Sequence, residues 1–215
     1  MKTINWLKYL LPLFKKYRGK KHPLDYRNRF ELVTAVILSA QDSDKHINSV
    51  APAFFKKFPS IKHLAKVAPQ ELFDYIGSVR NFGNKAKWLT GLANAVKNDA
   101  GIPHTLEELT ALPGIGRKSA NVIIRESGDT AEGVIVDLHV MRVVQRLGIE
   151  ASDNAQKIEK KLMEIIPPKY WNDAGMAFSF LGREICRPTN PHCEECVMNP
   201  ICVYYNSVIK KKKKK

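Results

Sequence analysis

At 215 residues and 44% hydrophobic, the chain is long enough for one large domain or two small ones with proper cores. Its net charge is +14; removing the six lysines of the run Lys210 to Lys215 leaves +8 on the body. A basic body points to a polyanionic partner, nucleic acid first among them, and no apolar run approaches a membrane span, which argues against a membrane protein.

The N-terminal stretch Ile4 to Phe14 is interrupted by lysine and proline, and no small-residue cleavage site follows it. Its apolar residues repeat at near-helical spacing, so it reads as an amphipathic helix docked on the body. The expected location is intracellular, in the cytoplasm or nucleoid (the nucleus in a eukaryote). Phe30, Leu32, Val33, Val36, Ile37 and Ala40 form one buried stripe, ending in the polar turn Gln41-Asp42-Ser43-Asp44. Ile47, Val50, Ala53, Phe54 and Phe58 form the next, closed by Pro59. Ser60 precedes Ile61, Leu64 and Val67, and Pro69 opens a short helix with Leu72, Phe73 and Ile76. Gly83 precedes a longer helix through Ala86, Leu89, Leu92 and Val96. Thr105 and Glu108 make a capping box ahead of Leu106 and Leu109.

Leu112-Pro113-Gly114-Ile115-Gly116 is a glycine-marked turn, followed by Arg117-Lys118 and then by residues suited to a buried helix. Pro113 fixes its own φ, and Gly114 and Gly116 are expected to accept positive φ, so the backbone can turn sharply. The first amides of the next helix lack carbonyl partners, and the helix dipole makes that end electropositive. A DNA phosphate can approach closely there. Lys118 sits within one turn of that site as a candidate amine nucleophile. Taken alone, the motif reads more plainly as a loop running into a helix with a solvated lysine.

Ser127-Gly128-Asp129 then breaks the chain, and Val134-Ile135-Val136 is its one β-like run. It leads into Asp137 and the helical pattern Val140, Val143, Val144, Leu147. Asn154 to Ile166 is an amphipathic helix stopped by Pro167-Pro168, and Tyr170 to Ile185 is an apolar helix feeding the cysteines. No second strand pattern appears, so an all-α fold is expected. Cys186, Cys193, Cys196 and Cys202 are spaced C-x6-C-x2-C-x5-C. Four thiolates in a compact loop hold either zinc or an iron–sulfur cluster, and spacing alone does not separate the two. Arg187, Asn190 and His192 lie inside this loop and could present charge to DNA.

Four pieces occur in order over most of residues 25 to 205: Leu38-Ser39-Ala40-Gln41, the hairpin through Val122, Val136-Asp137 with His139-Val140, and the cysteine loop. Together they resemble the endonuclease III family, within the helix-hairpin-helix superfamily of DNA glycosylases. The resemblance implies two all-helical subdomains with a DNA-binding cleft between them. One is a six-helix barrel carrying the helix-hairpin-helix motif, over residues 22–132; the other joins residues 1–21 to 133–209. The second holds a 4Fe-4S cluster on Cys186, Cys193, Cys196 and Cys202, used for structure and DNA contact. The run 210–215 reads as a disordered tail.

The activity implied is that of a bifunctional DNA glycosylase and AP lyase. Such a monomer acts on double-stranded DNA carrying a damaged base or an abasic site, and removes oxidised pyrimidines. The resemblance makes Lys118 the Schiff-base nucleophile, with β-elimination nicking the strand 3′ to the lesion, and makes Asp137 the assisting carboxylate. It places Gln41 in the space left by the flipped nucleotide, and adds Asn81, Gly114, Gly116, Arg117 and His139 to the DNA-binding residues. The residue types suit this chemistry. A lysine beside Arg117 in a partly desolvated cleft can act as a free amine, and Asp137 can take a proton or stabilise a sugar cation. The plainer role of Asp137 is a helix N-cap.

The chain also departs from the family pattern. Asn81 stands where an apolar wedge, usually leucine, is expected, and Arg80 replaces a neighbouring glycine. Leu138 replaces a threonine beside the aspartate, Asp42 is an unusual acid beside Gln41, and the interval from Lys118 to Asp137 is one residue longer. These features bear on lesion and opposite-base preference. The competing readings are a mismatch-type thymine or uracil glycosylase, and a non-catalytic DNA-binding protein. The adenine-specific branch fits less well: residues 32 to 41 contain no acid, Lys118 is present, and the chain ends soon after Cys202.

Overall fold

The computed structural model describes residues 4–210, and all regular structure in that span is helical. The lysine run from 211 onward lies outside the described residues. The α-helices are α1 (Trp6–Tyr17), α2 (Arg29–Ser39), α3 (Asp44–Lys57), α4 (Ile61–Leu64), α5 (Phe73–Ile76) and α6 (Phe82–Val96). They continue as α7 (Leu106–Thr110), α8 (Arg117–Ser127), α9 (Leu138–Leu147), α10 (Ala155–Ile165) and α11 (Trp171–Glu184). The chain divides into two compact units, a middle one over Lys21–Thr130 and a terminal one made from the segments on either side of it.

In the middle unit α2 is the central rod. Asn28 caps it by accepting from the Glu31 amide at 2.9 Å, and every residue from Phe30 to Leu38 is buried. The sequence pattern suggests a single stripe; the helix is enclosed more fully than that, by α8, α3 and α6. Its one buried acid, Glu31, is matched by Arg27, whose Nε donates at 2.9 Å and whose backbone amide donates at 2.8 Å. Phe30, Phe54, Phe55 and Phe58 stack edge-on or tilted at 5.1–5.8 Å between centroids, closing the end of the core where α2 meets α3. Arg29 pairs with Asp129 at 2.7 Å, tying the start of α2 to the chain just beyond α8.

Two local expectations change. Pro69 opens a 3-10 turn, Pro69–Leu72, that leads into the single-turn α5. The long helix starts at Phe82, one residue before Gly83, because Asn81 takes the left-handed conformation (φ 58°) and reverses the chain there.

In the terminal unit α11 packs against α9 and α1. Asn5 caps α1 through the Lys8 amide, and Leu10, Leu13, Phe14 and Tyr17 make its buried face. Phe14 meets Phe178 edge-on at 6.5 Å and Tyr17 meets Phe180 at 5.7 Å, so the docked amphipathic helix is present. Burial of these side chains contributes on the order of 5 kcal/mol before the entropy of ordering the helix is set against it. Val134–Val136 forms no strand. It is a buried segment without regular structure, seated against α11, where a Cβ on Gly175 would come within 2.7 Å of the Ile135 backbone. Among the described residues, no helix is long and apolar enough to cross a membrane.

Candidate functional site

The hairpin is built from short-range chemistry. Thr105 caps α7, accepting from the Glu108 amide at 3.3 Å while its hydroxyl donates to the Glu108 carboxylate at 2.7 Å. Ile115 plugs into the core, and its amide donates to the Leu112 carbonyl at 3.3 Å, closing the turn. Gly114 has φ +78°, and a Cβ there would lie 2.9 Å from Trp88 Cβ, so both conformation and space demand glycine. Gly116 differs from expectation: its φ is −89°, ordinary extended backbone, and a Cβ at that position would meet nothing within 4 Å. Within this turn, positive φ is therefore required at Gly114 only. Gly114→Ala is expected to lower stability by roughly 2 kcal/mol or more, read as a fall in the thermal midpoint.

Gly116 starts α8 by accepting from the Ala120 amide at 2.9 Å. Ala120, Val122, Ile123 and Ile124 face the core, which leaves Arg117 and Lys118 exposed at the first turn. The partly desolvated setting expected for Lys118 is not supplied by its own unit. The short spacing between the turn and Lys118 lifts the side chain outward, away from the buried face.

Gln41 and Asn81 lie in the same unit, on the loops α2–α3 and α5–α6. Both side chains are exposed, and both backbones are left-handed, with φ 60° and 58°. Such a conformation costs on the order of 1 kcal/mol for a residue other than glycine, somewhat less for asparagine. Beneath them Lys85 is buried, and its Nζ donates to the Leu38 carbonyl at 2.7 Å, satisfying an otherwise open carbonyl at the end of α2. Burial pushes the Lys85 ammonium below its ordinary pKa, and the nearby Asp42 carboxylate opposes that.

Asp137, in the terminal unit, is the N-cap of α9. Its Oδ1 accepts from the Val140 amide at 2.8 Å and its Oδ2 accepts from the Ser179 hydroxyl at 2.7 Å. Ser179 is fully buried on α11, and sequence reasoning does not single it out; a lone hydroxyl between Phe178 and Phe180 is the available signal. Leu138 follows with 77% exposure, an unusual setting for leucine. His139 packs close to Gly182, where a Cβ would come within 2.8 Å of its own, and its Nδ1 accepts from Arg142 at 3.2 Å.

The four cysteines line one small cavity, walled also by Leu181, Ile185 and Arg146. No disulfide joins any of the four. Among the described residues, no three His, Cys, Asp or Glu side chains close on a point as a single-ion site would. Burial pushes the Cys196 thiol up to about 11, with the neighbouring thiols adding to it and the Met198 amide opposing. Two arginines one turn apart on α9 hold the loop. Arg142 donates to the Cys186 and Gly182 carbonyls at 3.0 and 2.8 Å. Arg146 donates to the Arg187 and Pro188 carbonyls at 2.7 and 3.0 Å and to Cys186 Sγ at 3.4 Å. Their i, i+4 spacing opposite the apolar face of α9 is the signal by which a sequence reading could find them. Arg187, Asn190 and His192 lie on the loop, and all three are exposed.

Comparison with known proteins follows the same lines. Residues 34–168 match the family described as HhH-GPD superfamily base excision DNA repair protein. Endonuclease III of Synechocystis is 38% identical over 195 residues, covering 90% of this chain and 89% of its own. A solved structure of a trapped endonuclease III–DNA covalent intermediate, an estranged-adenine complex, superposes with a TM-score of 0.87 at 33% identity over the whole of both chains. A thermostable thymine-DNA glycosylase has a TM-score of 0.77 at 24% identity, covering 94% of this chain and 95% of its own, which is a likeness of fold.

Proposed function

Because this chain belongs to the endonuclease III family of base-excision DNA repair proteins, we propose that Lys118 is the nucleophile of a lesion-removing reaction assisted by Asp137. The protein is a DNA glycosylase with AP lyase activity, and its partner is duplex DNA. The observation that carries the assignment of the nucleophile is the exposed amine of Lys118, placed by the Gly114 turn within the first turn of α8. Gly116, with no side chain to fend off a phosphate, and the leading amides of α8 suit the DNA backbone. The covering that makes the amine nucleophilic comes with the bound nucleotide.

In this reading the Lys118 lone pair attacks the sugar C1′ of an oxidised pyrimidine nucleotide. The glycosidic bond breaks, and the base leaves with its electron pair and a proton. The sugar ring opens to a protonated imine, loss of a C2′ proton follows, and the C3′–oxygen bond breaks, nicking the strand on the 3′ side. The Asp137 carboxylate, fixed by Val140 and Ser179, moves protons or faces the cationic sugar. Arg117 and His139 join the contacts to DNA, while Gln41 and Asn81 fill the gap left by the extruded nucleotide. The site of action is intracellular DNA.

The cysteine set fits a 4Fe-4S cluster: four soft ligands surround one cavity with apolar walls, and Arg146 offsets thiolate charge at Cys186. Cys186, Cys193, Cys196 and Cys202 would hold it, and it would supply rigidity to a DNA-contacting loop. Cys193→Ser is expected to lose the brown absorbance at about 400 nm and to weaken folding or DNA affinity. Zinc found by elemental analysis of the wild type would contradict the assignment.

A panel of duplexes carrying thymine glycol, 5-hydroxycytosine, uracil, mismatched thymine or an abasic site tests the substrate class. Release of the oxidised pyrimidines ahead of the others supports the reading. Preferred release of mismatched thymine or uracil would replace it with the mismatch-type alternative.

A further inference from the structure

One carboxylate links the two loops that carry Gln41 and Asn81. Asp42 Oδ2 accepts from the Arg80 backbone amide at 2.9 Å, next to Asn81. Its Oδ1 accepts from the Ser43 amide at 2.8 Å and from His46 Nδ1 at 2.8 Å. The far nitrogen of the same ring, His46 Nε2, meets the Ser78 hydroxyl at 3.2 Å, on the second loop again. A ring protonated at Nδ1 satisfies both contacts, donating to Asp42 and accepting from Ser78. The Asp42 side chain is only 12% exposed. Burial alone would raise its pKa, but the Arg80 amide, the His46 ring and the Ser43 amide outweigh it and hold the carboxyl below its ordinary value.

The geometry points to Asp42 as the positioning residue for reading the base opposite the lesion. Gln41 immediately precedes Asp42 and Asn81 immediately follows Arg80, and both take left-handed backbones that persist only where their surroundings fix them. Two hydrogen bonds, from the Arg80 amide to Asp42 and between His46 and Ser78, cross between the loops and hold them at one spacing. Two more fix Asp42 against Ser43 and His46 on its own side. Underneath, Lys85 ties the end of α2 to α6 through the Leu38 carbonyl, so both loops stand on a common base. Asn84 Nδ2 donates to Asn81 Oδ1 at 3.0 Å, which turns the Asn81 amide nitrogen outward as a donor. A leucine in that place would only pack, whereas this amide can hydrogen-bond the edge of an orphaned base, provided it is held within hydrogen-bond tolerance. Asp42 provides that hold without touching DNA.

This inference rests on Gln41 and Asn81 entering the duplex. Its test uses the full-length protein, with thymine glycol placed opposite A, G, C and T in turn, and kcat/KM measured for each. Abasic single-stranded DNA, which has no opposite base, serves as the reference substrate. In Asp42→Ala the ratio between the best and worst opposite base should shrink about five-fold or more, while single-strand nicking changes by less than about two-fold. Asp42→Asn, which keeps the volume and one acceptor oxygen, should retain part of the discrimination and keeps the test open should the alanine variant fold poorly. Unchanged ratios in both variants, an equal fall against all four bases, or a wild type that treats the four alike would overturn the inference and leave the glycosylase assignment standing. A wild type inert on every duplex and on abasic DNA would overturn both.

Discussion

Lys118→Ala is expected to abolish the adduct that borohydride traps between the protein and DNA containing an abasic site, and to cut strand nicking by roughly three decades or more. The adduct requires an amine whose lone pair has become a carbon–nitrogen double bond at C1′, which borohydride reduces to a stable amine. Lys118 is exposed on the first turn of α8, and alanine is a good helix former there, so the variant should fold normally, within about 0.5 kcal/mol. Lys118→Arg keeps the charge and supplies no neutral amine, and it should fail in the same assay. Lys85 cannot substitute, because its Nζ is buried and donated to the Leu38 carbonyl. An adduct of wild-type yield in Lys118→Ala would move the nucleophile elsewhere, and a wild type that gives no adduct would favour the non-catalytic DNA binder.

Asp137→Asn is expected to lower turnover by roughly two decades or more while affinity for abasic duplex DNA stays within a few-fold. The substitution separates two jobs held by one side chain. Asparagine is as good an N-cap as aspartate, so the bond from the Val140 amide survives and α9 keeps its start. The Ser179 hydroxyl can rotate to accept from the new amide, so the buried partner stays satisfied. What disappears is the negative charge and the capacity to take a proton. Asp137→Ala would add the loss of the cap, about 1 kcal/mol, and confuse the two effects. Near-normal turnover in Asp137→Asn would leave Asp137 as an N-cap alone.

The parts of this protein legible in its sequence are those written within a few residues of chain. The hairpin turn, the cap at Thr105, the apolar helices and the cysteine spacing each depend on neighbours close in sequence, and each is present in the fold. What stays hidden depends on distant partners. Ser179 reaches Asp137 across 42 positions, Arg142 reaches the Cys186 carbonyl across 44, and the Arg80 amide reaches Asp42 across 38. No periodicity carries that information. Val134–Val136 shows the converse ambiguity: a run of branched side chains marks a buried segment, and that is equally true of a strand and of a segment wedged against Gly175 of a helix. For α2 the stripe understates burial, since Thr34 and Glu31 are enclosed along with the apolar residues.

The terminal unit gathers α1 from before Lys20 together with helices from after Ala131, and α1 lies along α11. During synthesis, then, α1 has nowhere to rest until Trp171–Glu184 has emerged, a delay on the order of ten seconds. The middle unit is complete well before that. Leu10, Leu13 and Phe14 meanwhile remain uncovered on a short amphipathic segment, which is the kind of surface that holding chaperones recognise. The cysteine loop follows α9 in the chain, so its residues emerge only after Arg142 and Arg146, the side chains that hold it, have been synthesised.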